Sequence, residues 1–454
     1  MRSIRNLAWI SGAVASLVSF AVVVSSLSAS AAPAHSPGMM SMGFEPWLES
    51  QSSASVERLL ANVSPAGTAP GVVVASPERV SPNYYYHWVR DAALTMNTVV
   101  ELYARASSTQ LRDALRNRLV DYARFSRQNQ TTVTIAGMGE PKFNVDGSAF
   151  MGSWCRPQTD GPALRALTLS RFANLLLDQG DGGFVHNELY DGAIPTSSVV
   201  KADLEFVAHH WRETSCDIWE EVSGDHFYTK LVQRRSLIEG AALASRLGDP
   251  GAASFYLSQA EALKASILEH WDAGRGVFVP TLNWKGGIGY KSSGLDGQVI
   301  LGILHSGGFA FSDARVLGTM HAIAQSFAAL YPINRVSGAP GVGIGRYPED
   351  VYDGAKFEGG NPWVLITAAF ANGYYRASAE LTALGKTSEA RQAFDLGDSY
   401  LKRIQYHANP DGSLSEQFDR NSGFMVSARD LTWSHVELLQ AVWARAAVAG
   451  RIKH

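Results

Sequence analysis

Apolar residues recur at steps of three and four along most of this chain, the spacing that places them on one face of an α-helix. A clear example runs through Tyr256, Ala260, Leu263, Ile267 and Trp271. No segment alternates apolar and polar residues convincingly enough to predict a strand of a protein core. Apolar residues make up 46% of the sequence, which is enough to fill a large core. The pattern therefore predicts an all-α protein.

Twelve segments carry the helical pattern. They span residues 54–63, 92–106, 109–129, 162–178, 197–211, 225–247, 251–271, 296–305, 312–330, 361–382, 387–407 and 429–449. Twelve helices make six hairpins, and six hairpins can close into a ring with an inner and an outer layer. An open solenoid of helix pairs is the alternative, but such arrays carry a repeat of fixed period that this sequence lacks. We predict an (α/α)6 barrel of two concentric layers.

The first 31 residues have the three-part organisation of a secretory signal peptide. Arg2 and Arg5 form a positive start, residues 7–24 are mostly apolar, and residues 29–31 (ASA) form a small-residue cleavage pattern. An uncleaved membrane anchor is the alternative, because the apolar run approaches the ~20 residues that span a bilayer. The Ala/Ser-rich sequence that follows favours cleavage. We expect a secreted protein, extracellular or vacuolar, with a single (α/α)6 domain over residues 32–454.

Charge and cysteine content exclude several classes of protein. The formal net charge is −3 with no basic or acidic block, which argues against nucleic acid and anionic membranes as partners. The two cysteines, Cys155 and Cys216, allow one disulfide at most, and two buried free thiols remain the alternative. Residues 129–131 (NQT) form a glycosylation sequon, and residues 62–64 (NVS) form a second one that Pro65 weakens.

Five long segments between the predicted helices hold most of the tryptophan, glycine and conspicuous charge. They read SPNYYYHWVRD, GMGEPKFNVDGSAFMGSWCRPQTDGP, SCDIWEEVSGD, PGVGIGRYPEDVYDGAKFEGGNPW and NPDGSLSEQFDRNSGFMVSARDLTW. Functional residues tend to lie on loops that a rigid scaffold holds in place. These five loops are therefore the candidate active site.

Three acids are crowded around one tryptophan in the third loop, where Asp217, Glu220 and Glu221 flank Trp219. Neighbouring anions and an apolar wall both favour the protonated form of a carboxyl group, which a general acid requires. Hydrolysis of a glycosidic bond needs a second carboxyl group, and Glu416 is the candidate. A solvated loop with ordinary carboxylates is the plainer explanation of both features. No spacing of acids follows a calcium-binding loop, so no metal site is expected here.

The loops also supply groups that read sugar hydroxyls and faces that stack on sugar rings. Arg90, Asp91 and Arg346 offer charged donors and acceptors. Ring faces for stacking are offered by Trp88, Trp154, Trp219, Trp363 and Trp433. Each charged residue has a plainer explanation: Asp91 can cap a helix, and Arg346 can pair with a nearby acid in the same loop.

Together, and in this order, the five loops resemble those of fungal glucoamylases, family 15 of the glycoside hydrolases, over residues 45–450. The resemblance implies an (α/α)6 barrel that works without a cofactor, and we expect a monomer. It also implies release of β-glucose, with inversion, from the non-reducing ends of starch and maltooligosaccharides. Cleavage of α-1,4 bonds, and more slowly of α-1,6 bonds, is the expected activity, that of a glucan 1,4-alpha-glucosidase.

The resemblance implies a role for most of the candidate residues. Glu220 matches the general acid and Glu416 the general base, whereas Glu221 resembles a substrate-binding carboxylate and Asp217 a supporting charge. The other matched positions are Arg90 and Asp91, which would grip the terminal glucose together with Arg346 and Trp154; Tyr84, near the base; and Trp363 and Trp433, in the pocket wall.

Two departures from the resemblance affect what we expect. No starch-binding module is expected after the barrel. The segment YDGAKFEGGNPW is longer than the corresponding family loop, so the resemblance does not define the geometry of the outer sugar subsites.

Two other functions remain as alternatives. One is another exo-acting (α/α)6 hydrolase, similar to glucodextranases or trehalases, and the other is a secreted glucan-binding protein without catalysis.

Overall fold

Thirteen α-helices dominate residues 42–451, the part of the chain that the computed structural model describes. They are α1 (Phe44–Ala61), α2 (Val89–Arg105), α3 (Thr109–Thr131), α4 (Asp160–Asp178), α5 (Gly182–Phe184), α6 (Val199–His210), α7 (Phe227–Arg246), α8 (Pro250–Leu268), α9 (Gln298–Ser306), α10 (Ala314–Leu330), α11 (Val364–Ala383), α12 (Thr387–His407) and α13 (Thr432–Ala449). Except for the single turn α5, they correspond one to one with the twelve predicted segments.

The largest difference from the prediction is the start of α1, at Phe44 rather than at residue 54. Its first turn contains Pro46, whose missing N–H group would have no partner within the helix at that position anyway. Only Trp47, Leu48 and Gln51 are buried in the added part, so it carries too few apolar residues to show a helical period.

Six helices form a closed inner ring, in which each helix contacts the next and the last contacts the first. In order around the ring they are α2, α4, α7, α9, α11 and α13. The outer helices alternate with them along the chain and pack against the ring, as α3 does on α2, α8 on α7 and α12 on α11. This confirms the predicted (α/α)6 barrel of two concentric layers.

The inner helices are buried around most of their circumference, as the lists of buried residues in α4 and α11 illustrate. A helix between two neighbours in a ring and an outer layer has few faces left for water, so its sequence is apolar nearly all round.

Several outer helices begin at the capping residues expected for exposed helix starts. Ser108 accepts a hydrogen bond from Leu111 N, Asp249 from Ala252 N and Asp313 from Arg315 N.

Short antiparallel strands lie in the segments between the helices, where the sequence analysis predicted none. They are β1 (His87–Trp88), β2 (Lys142–Phe143), β3 (Ser215–Cys216), β4 (Val222–His226), β5 (Trp271–Asp272), β6 (Val277–Phe278), β7 (Thr281–Gly287), β8 (Ser415–Phe418) and β9 (Met425–Arg429). The pairings are β1–β2, β3–β4–β7, β5–β6 and β8–β9. Most are too short to show an alternating pattern. Single turns of 3₁₀ helix occur at Gly137–Gly139 and Pro332–Arg335, and one of π-helix at Val185–Leu189.

Six segments lead from an outer helix to the N-terminal end of the next inner helix. They span residues 62–88, 132–159, 211–226, 269–297, 331–363 and 408–431. Five of them contain the loops predicted as the candidate site, and the sixth, residues 269–297, was not predicted to take part. The barrel therefore gathers loops that are far apart in sequence at one end of the ring.

Two expectations from the sequence concern processing of the chain. The predicted signal peptide, residues 1–31, lies outside the described residues. Both sequon asparagines are buried: Asn129 is 2% exposed, and Asn62 donates through Nδ2 to Asp430 O and Thr432 Oγ1. Neither side chain is accessible to a glycan in the folded protein, which argues against glycosylation at these two sites. Among residues 42–451, every helix is too short or too polar to cross a membrane.

Candidate active site

A cavity of about 480 Å³ lies among the segments at the N-terminal ends of the inner helices. Twelve of the thirteen candidate residues line it. They are Tyr84, Trp88, Arg90, Asp91, Trp154, Trp219, Glu220, Glu221, Arg346, Trp363, Glu416 and Trp433. The exception is Asp217, which is completely buried behind the wall. The carboxylates, guanidinium groups and indoles identified in five separate loops therefore meet in one place.

Glu220 is held by one oxygen of its carboxyl group. Its Oε1 accepts hydrogen bonds from Trp88 Nε1 at 2.8 Å and from Gln158 Nε2 at 3.1 Å, and Arg90 NH2 lies 3.8 Å away. No hydrogen bond from residues 42–451 reaches Oε2. The backbone of Glu220 has a φ of +66°, a left-handed conformation that is uncommon and strained for a residue other than glycine. The turn therefore presents a carboxyl group with one fixed and one free oxygen.

Glu221 is held by both of its oxygens. Oε1 accepts from Arg346 NH2 at 2.8 Å, and Oε2 accepts from the Tyr347 hydroxyl at 2.7 Å and lies 3.2 Å from Lys291 Nζ. Adjacent residues in the same turn thus have different surroundings, and only Glu220 keeps an unbonded carboxyl oxygen among the described contacts.

Asp217 fixes the turn from behind. Its Oδ1 accepts from the backbone N–H groups of Glu221 and Val222, at 2.8 and 3.0 Å, and its carbonyl oxygen accepts from Glu220 N at 3.0 Å. Its Oδ2 accepts from Lys291 Nζ at 3.0 Å. Burial alone would raise the pKa of Asp217, but the Lys291 ammonium and the other donors lower it overall. Asp217 is therefore an ionised support of the turn without direct access to the cavity.

Glu416 lies on β8, opposite Ser427 of β9. Its Oε2 accepts from Gln417 Nε2 at 3.1 Å and from the Ser427 hydroxyl. The Tyr84 hydroxyl, which lies 2.7 Å from Tyr352 OH, also interacts with Glu416. Burial raises the pKa of Glu416 to about 7, although these hydroxyl groups oppose the shift. Glu416 is thus a buried carboxyl group that side-chain donors from Tyr84, Gln417 and Ser427 orient.

Arg90 and Asp91 form a buried charged pair at the start of α2. Arg90 Nε lies 3.4 Å from Asp91 Oδ2, and Arg90 NH1 donates to Gln158 Oε1 at 2.9 Å and to Asp160 Oδ2 at 3.2 Å. Burial raises the pKa of Asp91 to about 6, and the Arg90 guanidinium opposes this shift. The Asp91 side chain makes no capping hydrogen bond, and Arg90 is 5% exposed, so the plainer explanation of a capped helix with a surface ion pair is wrong.

Arg346 pairs with two acids and connects two loops. Besides Glu221, it contacts Asp350 through Nε and NH2, at 2.8 and 2.6 Å. Glu349, by contrast, accepts hydrogen bonds from Ser292 and Ser293. The local pairing considered from the sequence therefore exists with Asp350, but the same guanidinium also reaches the cavity wall.

Tryptophan side chains form much of the cavity wall. Trp88 and Trp154 pack edge to face with ring centroids 5.9 Å apart, and Trp219 and Trp363 lie 5.5 Å apart. Trp219 Nε1 donates to Asp296 Oδ1, and Trp433 Nε1 donates to Glu437 Oε1, both at 2.8 Å. Because these indole N–H groups are bonded away from the centre, the rings have fixed orientations.

Several residues of the site were missed by the sequence analysis because their role depends on contacts between loops. They are Lys142, Gln158, Lys291, Tyr347, Tyr352 and Ser427. All of them except Lys291 lie inside the five quoted loops, so a polar side chain within an aromatic loop was an available signal. The Lys142 ammonium lies over four aromatic rings, 3.8–4.3 Å from the centroids of Tyr86, Trp88, Phe150 and Trp154.

Cys155 and Cys216 form a disulfide with their Cα atoms 5.9 Å apart, which resolves the choice between a bridge and free thiols. The bond joins the residue after Trp154 to the residue before Asp217. Two loops of the site are therefore covalently tied to each other.

Comparison with known proteins gives one family for this chain. Residues 53–443 match the sequence profile of Glycosyl hydrolases family 15. The chain is 37% identical to a glucoamylase of Blastobotrys adeninivorans, over 91% of this chain and 74% of that protein. It is 34% identical to a probable glucoamylase of Schizosaccharomyces pombe, over 89% of this chain and 93% of that protein.

Solved structures give the same result. The fold is similar to that of the glucoamylase from Saccharomycopsis fibuligera, with a TM-score of 0.80 and 29% identity over 90% of this chain and 96% of that one. It is also similar to the family 15 glucoamylase of Hypocrea jecorina, with a TM-score of 0.81 and 29% identity over 89% of this chain and 73% of that one.

Proposed function

This chain belongs to family 15 of the glycosyl hydrolases, and on that premise we propose that it is a secreted, exo-acting glucoamylase, a glucan 1,4-alpha-glucosidase. It removes terminal glucose from the non-reducing ends of starch and maltooligosaccharides. It hydrolyses α-1,4 bonds and, more slowly, α-1,6 bonds, and it releases the sugar as β-glucose by inversion. Secretion is supported by the signal-peptide pattern of residues 1–31.

The assignment of the acid rests on one observation. Glu220 lines the cavity with one oxygen held by the protein and the other unbonded among the described residues, whereas Glu221 is bonded through both oxygens. Glu416 lines the same cavity from another loop. A general acid must direct its proton at the glycosidic oxygen, and a general base must accept a proton from water. The free Oε2 of Glu220 fits the first task, and Glu416, the second catalytic candidate at the cavity, fits the other.

In the proposed reaction, Glu220 transfers its proton to the glycosidic oxygen as the bond from that oxygen to C1 breaks. Glu416, ionised, takes a proton from a water molecule, whose oxygen bonds to C1 from the opposite face of the sugar ring. The proton lost by Glu220 leaves with the shortened chain, and the proton gained by Glu416 returns to solvent. Attack from the opposite face converts the α-linkage into β-glucose.

The remaining groups bind the sugar. Arg90, Asp91 and Arg346 present fixed donors and acceptors at the cavity wall for hydroxyl groups of the terminal glucose. Glu221, oriented by Arg346 and Tyr347, accepts hydrogen bonds from the substrate in its ground state. The paired tryptophans cover the apolar faces of the sugar ring and exclude water from the reacting atoms.

Incubation of the purified enzyme with maltoheptaose tests this function. Products are followed over time by size and, by NMR, for the anomer formed first, with Glu220→Gln as the inactive control. We expect glucose as the sole small product from the start, initially as the β-anomer. Early accumulation of long oligosaccharides would exclude exo action, and α-glucose would exclude inversion. Parallel incubations with trehalose and an α-1,6-glucan identify the two alternative hydrolases.

A further inference from the structure

Residues 269–297, the segment that was not predicted to take part in the site, place Lys291 among three acids. Lys291 Nζ lies 3.0 Å from Asp217 Oδ2, 3.2 Å from Glu221 Oε2 and 3.7 Å from Asp296 Oδ2. Only 6% of its side chain is exposed, and its ammonium lies 4.0 Å from the centre of the Tyr347 ring. One buried ammonium group therefore lies within salt-bridge distance of three carboxylates.

These three acids do not depend equally on Lys291. Glu221 is also bonded to Arg346 and Tyr347, and Asp296 accepts hydrogen bonds from Trp219 Nε1 and from Gln298. Among the described residues, Lys291 is the only cation within salt-bridge distance of Asp217 and of Asp296, but it is closer to Asp217 and is the only donor to Asp217 Oδ2, whereas both Asp296 oxygens have other donors. Loss of the ammonium would leave the Asp217 carboxylate buried without a charged partner, which is the costly way to break a buried ion pair.

Asp217 is also the residue that holds the turn carrying Glu220. Three hydrogen bonds from backbone N–H groups, those of Glu220, Glu221 and Val222, end on its carbonyl or carboxylate oxygens. The left-handed φ of Glu220 lies inside this turn, and a strained backbone persists only when its surroundings hold it. The contacts thus run from Lys291 to Asp217, and from Asp217 to the backbone of Glu220.

We propose that Lys291 is a positioning residue for the general acid, and that it acts on Glu220 through Asp217 rather than on sugar binding through Glu221. This inference rests on the proposed function, in which Glu220 protonates the glycosidic oxygen. Misplacement of a catalytic group by about 1 Å can lower a rate by about 100-fold. The loss falls on proton transfer, so it is largest for substrates whose leaving group needs a proton.

The test compares two substrates, maltose and α-glucosyl fluoride, in the wild type and Lys291→Met. Fluoride leaves with little help from an acid. We expect kcat for maltose to fall by about 100-fold with little change in KM, and kcat for the fluoride to fall about ten times less. Lys230→Met is the matched control, since Lys230 is also buried and lies 3.9 Å from an acid, Asp225, but contacts none of the site acids. It should leave the ratio of the two rates unchanged.

Two outcomes overturn the proposal. Equal losses on both substrates would mean general damage to the site, and a rise in KM at unchanged kcat would mean that Lys291 acts through Glu221. If Lys291→Met does not fold, as judged by circular dichroism, the double variant Lys291→Met/Asp296→Asn removes one buried acid as well and must show the same dependence on the leaving group. A wild-type protein inactive on both substrates would instead refute the proposed function.

Discussion

Trp88 Nε1 donates a hydrogen bond to Glu220 Oε1 at 2.8 Å, from a different loop of the barrel. Gln158 Nε2 donates to the same oxygen and at the same time its Oε1 accepts from Arg90 NH1. Because these donors converge on one oxygen, the orientation of the carboxyl group is fixed and its proton belongs on the other oxygen. Trp88 therefore contributes to the geometry of proton transfer as well as to the sugar-binding wall.

Trp88→Phe removes this donor and keeps an aromatic ring. We expect kcat for maltose to fall by about 10- to 100-fold, since a hydrogen bond to a charged group contributes about 1.5–3 kcal/mol, with a smaller change in KM. Steady-state kinetics measure both values. Trp284→Phe, a change at an exposed tryptophan on β7, serves as the control and should have no effect. A change in KM alone would show that Trp88 contributes only to binding.

The adjacent acids should respond differently to the same substitution. Glu220→Gln keeps the bonds to Trp88 and Gln158 possible but removes the proton, so kcat for maltose should fall by orders of magnitude at similar KM. α-Glucosyl fluoride should lose much less. Glu221→Gln weakens an ion pair with Arg346 and should raise KM with a smaller loss in kcat.

The reverse pattern, with the leaving-group dependence in Glu221→Gln, would exchange the two assignments. Glu416→Gln provides a further comparison, because its task is to activate water. The better leaving group should not rescue that variant.

The parts of the site that could be predicted from the sequence are those with a local signal. The helical period predicted the twelve longer helices and the closed ring, and Trp219 between three acids marked one loop as unusual. Asp217 is the instructive case: its position next to the acids was visible, but its burial behind the turn follows from β3 and β4, which are too short to leave a pattern.

The contacts that could not be predicted are those between loops. Lys291 lies between Tyr290 and Ser292 in a segment that carries no group of acids or cluster of tryptophans, and only closure of the ring brings it to Asp217. The donors to Glu220 come from residues 62 and 132 positions away. Likewise, the free oxygen of Glu220 becomes evident only once the hydrogen bonds to its other oxygen are known.

The longer loop noted in the sequence places an aromatic ring at the cavity. Phe357 lines the cavity while 62% exposed, and its ring lies 5.5 Å from that of Tyr352. Asp353 holds this loop, since Oδ1 accepts from the backbone N–H groups of Ala355, Lys356 and Phe357. The ring is thus presented by a structured loop.

Phe357→Ala should therefore affect long substrates most. If the ring contacts glucose units beyond the first, kcat/KM for maltoheptaose should fall by about 5- to 10-fold, corresponding to an aromatic contact of about 1–1.5 kcal/mol, and that for maltose by much less. Phe424→Ala is the matched control, an exposed phenylalanine outside the cavity lining. Equal losses on the two substrates would contradict a role in chain-length preference.

Burial of Glu416 should make the stability of the protein depend on pH. Its pKa is raised from 4.5 to about 7 in the folded state, so between these values the folded protein binds more protons than the unfolded chain. Stability linked to this group is complete below about pH 4.5 and is lost as the pH rises to about 7. At 1.36 kcal/mol for each pKa unit, the loss is about 3 kcal/mol.

Glu416→Gln removes the titrating group and keeps its size, so the variant should not suffer this loss. We expect its free energy of unfolding to increase relative to that of the wild type by about 3 kcal/mol between about pH 4 and about pH 7.5. Urea denaturation of both proteins at the two pH values measures the difference. Asp91 and Asp296, whose pKa values burial raises to about 6, are present in both proteins and cancel in the comparison. Parallel stability curves would mean that Glu416 is ionised in the folded protein as readily as in the unfolded chain, and that its burial carries no electrostatic cost.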